Sequence, residues 1–121
     1  MPVENKDHKE LLEKLELELN SKKVFLDEKL TLNTLAKKLK TNRSYLSETI
    51  NTHYQISFSN LINKHRIKEA SELLIDKNYQ HYSIEGIAKT VGYRNISSFN
   101  SAFKKETGIT PSYFRKSNPK N

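Results

Sequence analysis

Apolar residues recur along most of the chain at intervals of three and four, the spacing that gathers side chains on one face of an α-helix. From about His8 to Asn20, Leu11, Leu12, Leu15 and Leu19 share a side, Glu10, Glu13, Lys14 and Glu16 fall elsewhere, and Leu17 lies off the stripe. Val24-Phe25-Leu26 follows as an apolar connector expected to enter the same core. Thr31 then caps a short helix with Leu32, Leu35, Ala36 and Leu39 inward, and Asn42 caps a second with Leu46, Thr49 and Ile50 inward. Ser57 opens a longer helix, to about Leu74, that buries Phe58, Leu61, Ile62, Ala70, Leu73 and Leu74. Asp76 to Tyr82 is polar, lacks the helical period and reads as a loop. Beyond it Ser83 caps Ile84, Ile87, Ala88 and Val91, Gly92 supplies a turn, and Asn95 caps a helix burying Phe99, Ala102 and Phe103. Thr110-Pro111, a cap followed by proline at the first helical position, starts a last short helix with Tyr113 and Phe114.

The second half repeats the first. Leu32, Leu35, Ala36 and Leu39 fall on Ile84, Ile87, Ala88 and Val91 at an offset of 52 residues. At an offset of 53, Asn42, Leu46 and Ile50 fall on Asn95, Phe99 and Phe103, Ile56-Ser57 on Ile109-Thr110, and Leu61 on Phe114. Each copy is thus a short helix, a tight turn, a second capped helix and the start of a third. The small residue of the first helix, Ala36 or Ala88, lets two helices cross steeply over a turn of three or four residues, the helix-turn-helix arrangement. The fold expected is all-α: two helix-turn-helix subdomains joined by a long central helix, about seven helices in all.

Charge sharpens this picture by its position. The chain carries a formal +7, but residues 1–40 hold nine lysines against eight carboxylates, while 41–121 hold twelve Lys or Arg against six. The basic excess therefore lies with the two copies and favours a polyanionic partner, nucleic acid or an anionic lipid surface. The absence of cysteine excludes disulfides, thiolate metal sites and a cysteine nucleophile. His8, His53, His65 and His81 show no metal-ligand spacing, Ser44 and Ser47 have no paired His and acid, and no Gly-rich phosphate loop occurs, so neither an enzyme, a metal nor a cofactor is expected. Apolar runs of two or three residues leave no signal peptide or membrane span in this segment.

In a helix-turn-helix the second helix offers its outward face to the DNA major groove, mainly through its N-terminal half. With Leu46 and Ile50 inward, the opposite stripe of the first copy is Ser44, Ser47, Glu48 and Asn51, beside Arg43. The second copy offers Ser97, Asn100, Ser101 and Lys104, beside Arg94 and Ile96. Short hydrogen-bonding side chains suit base edges, while a bland surface helix would be equally polar. Arg43, Arg94, Lys104, Lys105 and Arg115 are the expected phosphate contacts, with Lys89 and Lys116 as solubilising charge, and helix starts near Ser57 or Thr110 could hold phosphate as well. Neutralising about four to six phosphates would give log K against log salt a slope of about −4 to −5.

The stretch Leu32 to Lys116 resembles the DNA-binding domain of AraC/XylS-type bacterial transcription regulators. The residues that carry the likeness are Ile87-Ala88, Val91-Gly92-Tyr93, Ser98-Phe99, Phe103-Lys104-Lys105, Gly108 and Thr110 to Lys116, with Arg66-Ile67, Ala70 and Leu73-Leu74 in the linking helix. The resemblance implies that both recognition helices enter successive major-groove segments of double-stranded DNA, and that base reading falls to Ser44, Ser47, Glu48, Ile96, Ser97, Asn100 and Ser101. A linking helix over 57–75 would span about 28 Å at about 1.5 Å per residue, compatible with a duplex turn of about 34 Å. Lys40-Thr41 stands where a glycine is frequent, so the first turn is expected to differ, and Glu48 replaces a more obvious long basic or amide reader. The loop over 76–82 is long, and its two tyrosines are free to pack or to contact DNA backbone.

The organisation expected is therefore residues 1–30 as N-terminal helix and connector packed on the first lobe, 31–56 the first helix-turn-helix and 57–75 the linking helix. Then come the loop 76–82, the second helix-turn-helix with its short C-terminal helix over 83–116, and a tail over 117–121. The resemblance further implies RNA polymerase as a partner, a sensor domain not visible in this chain, and a cytoplasmic, nucleoid-associated protein without membrane contact. A helical protein-interaction module and a non-specific nucleic-acid binder are the competing functions.

Overall fold

The computed structural model describes residues 5–118, with side chains from His8 onward. The described residues hold seven α-helices and no strand: α1 Asn5–Glu16, α2 Leu32–Lys38, α3 Arg43–Tyr54, α4 Phe58–Leu74, α5 Ile84–Thr90, α6 Ile96–Thr107 and α7 Pro111–Ser117. The last residues of the tail expected over 117–121 lie outside the described part.

Local chemistry sets where these helices begin. Thr31 accepts from the Thr34 N–H (3.1 Å) while Thr34 Oγ1 accepts from the Thr31 N–H (3.0 Å), a reciprocal cap on α2. Asn42 accepts from Tyr45 N–H (2.8 Å), Ser83 from Gly86 (2.9 Å) and Asn95 from Ser98 (2.9 Å). Ser57 and Thr110 do the same for Asn60 and Tyr113, each at 3.2 Å. Those last two helix starts carry caps of their own, each of which takes one of the free N–H groups at the start.

The chain divides into two compact units, Met1–Val24 with Lys29–Ile62, and Phe25–Glu28 with Asn63–Asn121. In the first, Leu11, Leu15 and Leu19 are buried along with Leu35, Ala36, Leu46 and Ile50. The helix begun by α1 widens after Glu16 into a π-type turn over Leu17–Ser21, so that Leu19 is buried while Leu17 stays 51% exposed. α1 meets α3 at both ends: His8 stacks edge-on against Tyr45 (5.1 Å between ring centres), and the Tyr54 hydroxyl donates to Glu16 Oε2. Burial, reinforced by that carboxylate, pushes the Tyr54 phenol well above its ordinary value.

The second unit is built on an aromatic run. Tyr93, Phe99, Phe103 and Phe114 follow one another at 5.4, 5.7 and 5.5 Å between ring centres. Ile67, Ala70, Leu74, Ile87, Ala88 and Val91 close around them.

The connector departs from the expectation that it packs on the first lobe. Phe25–Glu28 belongs to the second unit because Arg66 fastens it there: Nε donates to the Phe25 carbonyl (2.6 Å) and Nη2 to the Asp27 carbonyl (2.9 Å). The same guanidinium lies over the Tyr93 ring, 5.4 Å from its centre. Gly92 makes room for this meeting. Its φ is +109°, and a Cβ there would come within 2.8 Å of both Arg66 Nε and the Phe25 oxygen.

Candidate nucleic-acid interface

In each unit the first helix of the pair buries an alanine, Ala36 or Ala88, and leaves into a turn that opens with the same two hydrogen bonds. In the first unit Lys40 N–H donates to Lys37 O (3.0 Å) and Thr41 N–H to Ala36 O (2.9 Å); in the second Gly92 donates to Lys89 O (3.1 Å) and Tyr93 to Ala88 O (2.9 Å). The two turns match through this step, because Lys40 itself adopts a positive φ of 60°, and then differ in length: Thr41 leads straight to the Asn42 cap, whereas Arg94 intervenes between Tyr93 and the Asn95 cap. The correspondence continues to the far end of the second helix, where Gln55 (φ 61°) and Gly108 (φ 86°) both terminate with a left-handed residue.

This framework fixes which side of α3 and α6 faces solvent. Leu46, Thr49 and Ile50 are buried, and Arg43, Ser44, Glu48 and Asn51 are exposed with Ser47 half-buried. Those five line one open cleft with Leu32 and Thr52. Thr52 follows Glu48 by one helical turn, so the stripe's own period reaches it. Leu32 comes from α2 and is not reached by that period.

In α6, Phe99 and Phe103 are buried while Ser97, Asn100, Ser101, Lys104 and Lys105 are exposed, as is Arg94 just before the helix. Ile96 is half-buried and packs against the second core, which leaves only part of it to face a ligand. One cleft beside α6 is lined by Asn100, Ser101, Lys104 and Lys105 together with Thr110, Pro111 and Ser112 from the start of α7. Another, toward α4, is lined by Asn63, Ser97, Ser98, Ser101, Ala102 and Lys105. Asn63 and Ser112 escape a reading of the recognition helix alone, since they come from neighbouring helices.

Arg115 is placed differently from the sequence expectation. Its guanidinium donates to Leu74 O (3.0 Å), Tyr82 O (2.7 Å) and Tyr79 O (3.1 Å), tying the end of α4 and the following loop to α7. All three contacts are to protein, so Arg115 is withdrawn from the phosphate set. The two tyrosines of that loop likewise pack on the second core, with ring centres 4.8 Å apart.

Among the described residues no cluster of His, Cys, Asp or Glu could hold a metal ion, and no helix is long and apolar enough to cross a membrane. The clefts carry hydroxyls, amides and cations, with one carboxylate, Glu48, in the first unit. Such a surface can donate to and accept from a rigid polyanion with base edges.

The helix-turn-helix domain family matches residues 35–117 of the chain. Over 87 residues the chain is 38% identical to the raffinose operon transcriptional regulatory protein RafR of Pediococcus pentosaceus, covering 72% of this chain and 30% of that protein. The melibiose operon regulatory protein of Escherichia coli K12 is 34% identical over 90 residues, 74% of this chain and 29% of that one. The chain thus spans about 30% of the length of these curated relatives. Among solved structures, the C-terminal domain of AraT, a response regulator from Geobacillus stearothermophilus, superposes with a TM-score of 0.76 at 31% identity, over 94% of this chain and 87% of that one. The DNA-binding domain of AdpA, solved in complex with a target DNA, shares the fold with a TM-score of 0.74 at 19% identity, over 88% and 90% of the two chains.

Proposed function

The chain belongs to the AraC-type helix-turn-helix family, and on that premise we propose that it binds double-stranded DNA sequence-specifically and regulates transcription, α3 and α6 each entering a major-groove segment. One observation carries this reading. Each unit holds a capped second helix whose solvent side is a stripe of short hydrogen-bonding residues, Ser44, Ser47, Glu48 and Asn51 in one and Ser97, Asn100 and Ser101 in the other. Both stripes have cations at their edges, Arg43 in the first, Arg94, Lys104 and Lys105 in the second. This is the division of labour between base edges and phosphates that a DNA reader needs, and it belongs to a binding module, not an enzyme.

The regulatory setting follows from the same premise. The two curated relatives are each named for an operon, and the remaining length of such proteins is where a signal-receiving module would sit. Transcriptional control supplies RNA polymerase as a further partner, and chromosomal DNA in the cytoplasm as the place of work.

Selection from a random duplex library on this chain tests the reading. The expected result is a motif in two parts, bound with a slope of log K against log salt of about −3 to −4, since four cations remain once Arg115 is set aside. A selection without a motif would reduce the protein to a non-specific binder, and no binding at low salt would remove DNA as its ligand.

A further inference from the structure

The hydroxyl of Tyr93 lies 2.6 Å from Asn63 Oδ1. Tyr93 is only 5% exposed, so its proton has to find an acceptor inside the protein. Asn63 is its one hydrogen-bond partner among the described residues, and a phenol with one partner donates only if that partner offers a carbonyl oxygen. Burial pushes the phenol up to about 12, despite the opposing effect of the nearby Arg66 cation, so the proton is present at neutral pH. The carboxamide is therefore held in one orientation. Its oxygen faces Tyr93, and its NH2 is left for the open side, where Asn63 lines the cleft along α6 with Ser97, Ser98, Ser101 and Lys105.

The chemistry of that cleft is one-sided: three hydroxyls, an amide and an ammonium, with no carboxylate among its lining residues. The single acidic residue of α6, Glu106, is paired with Lys64 at 3.1 Å. The adjoining cleft, which shares Ser101 and Lys105 and adds Asn100, Lys104, Thr110 and Ser112, is equally free of carboxylates. A helix lying in a major groove about 12 Å wide has a phosphate strand along each flank, and the Asn63 cleft runs along the flank of α6 that faces α4.

Resting on the DNA-binding reading above, we propose that Asn63 is a DNA-backbone contact of the second unit, its Nδ2 donating to a phosphate oxygen at the edge of the groove that α6 enters, with Tyr93 as the residue that positions the amide. The contact fixes register and carries no sequence information, so its loss affects every duplex alike. Because the amide is already ordered by Tyr93, little side-chain freedom is lost on binding.

The experiment compares wild type, Asn63→Ala and Asn63→Asp on the selected duplex and on a random duplex. Asn63→Asp keeps the oxygen that Tyr93 needs and puts an anionic oxygen where the donor was. Affinity should fall about tenfold or more for Asn63→Asp and about three- to tenfold for Asn63→Ala, equally on both duplexes. A walk of single neutral methylphosphonates along both strands of the selected duplex should find one position where wild type and Asn63→Ala bind alike. Thermal melting of Asn63→Ala confirms the fold, and alanine on a half-exposed helix face leaves helix propensity intact. Wild-type affinity in both variants, or a walk in which no position removes the difference, overturns the contact and leaves the DNA reading standing. Failure of the wild type to bind any duplex at low salt overturns the DNA reading itself.

Discussion

Lys40 and Gly92 occupy the same step of two turns: each follows the end of the first helix of its pair, each has positive φ (60° and 109°), and each precedes an N–H that reaches back five residues to an alanine carbonyl. Only one of them is a residue suited to that conformation. A side chain with a Cβ in the left-handed region costs about 1–2 kcal/mol, part of which glycine gives back through its freer unfolded chain. Lys40→Gly should therefore raise the unfolding free energy by about 0.5–1 kcal/mol, read by urea denaturation. A neutral or destabilising result would mean that Lys40 is not strained.

The reverse change at Gly92 is a harsher test. An alanine there has both an unfavourable φ of +109° and a Cβ within 2.8 Å of the Phe25 carbonyl, a backbone atom that cannot swing aside. Gly92→Ala should cost about 2 kcal/mol or more and loosen the connector from the second unit. Hydrogen exchange at residues 25–28 reads the second effect directly. Unchanged protection there would break the link between the turn and the connector.

Arg115→Ala should act on stability and leave binding electrostatics alone. Three carbonyls, on Leu74, Tyr79 and Tyr82, lose a charged donor, which at partial burial amounts to about 2–3 kcal/mol. Lysine should not rescue it, because a single ammonium cannot reproduce a planar fork spread over three acceptors. The slope of log K against log salt should match wild type under conditions where the variant is folded. A slope shallower by about one would return Arg115 to the phosphate set.

Tyr93 gives the second unit an alkaline limit. Its folded-state value, about 12, lies above the ordinary tyrosine value, chiefly through burial. The folded protein therefore holds this proton after the unfolded chain has begun to release it. The sign follows: the contribution is whole below the ordinary value of about 10 and is lost as pH rises toward 12, on the order of 2 kcal/mol. Tyr93→Phe should be less stable at neutral pH, yet lose less stability than wild type between pH 10 and 12, measured by denaturation at each pH. Parallel curves would show that Tyr93 is not the group responsible.

What the sequence discloses is mostly what acts over short range. The caps at Thr31, Asn42, Ser57, Ser83, Asn95 and Thr110 are visible because each cap and the N–H it accepts from are three residues apart. The exposed stripes on α3 and α6 follow from helical period once Leu46, Ile50, Phe99 and Phe103 are turned inward. Lys40 and Gln55 hide their positive φ because neither residue type advertises it; only their alignment with Gly92 and Gly108 through the repeat gives them away. The partners of Arg66 and Arg115 were beyond reach. The Phe25 and Leu74 carbonyls each lie 41 residues from the arginine they meet, and a charged side chain in a sequence does not say whether its target is solvent, phosphate or a distant carbonyl. Asn63 was missed for a related reason, since it stands on α4 and gains its role only through Tyr93.

The division of labour along α6 is open to a direct comparison. Ser97 and Asn100 are exposed on the stripe that faces away from Phe99 and Phe103, and Lys104 lies a turn beyond Asn100, the two lining the cleft shared with the start of α7. Truncating a base-reading residue removes discrimination at one position and leaves the electrostatic part of binding in place. Asn100→Ala and Ser97→Ala should each lower affinity for the selected duplex by about 1–3 kcal/mol, widen the base preference at a single position and leave random duplex almost unaffected. Lys104→Ala should weaken selected and random duplex together and make the salt slope shallower by about one. Phe103→Ala is the control for loss of fold, with an expected cost of about 2–5 kcal/mol from the cavity it leaves in the aromatic run. Equal losses on selected and random duplex for Asn100→Ala, Ser97→Ala and Lys104→Ala would mean that the stripe holds the backbone and reads no base.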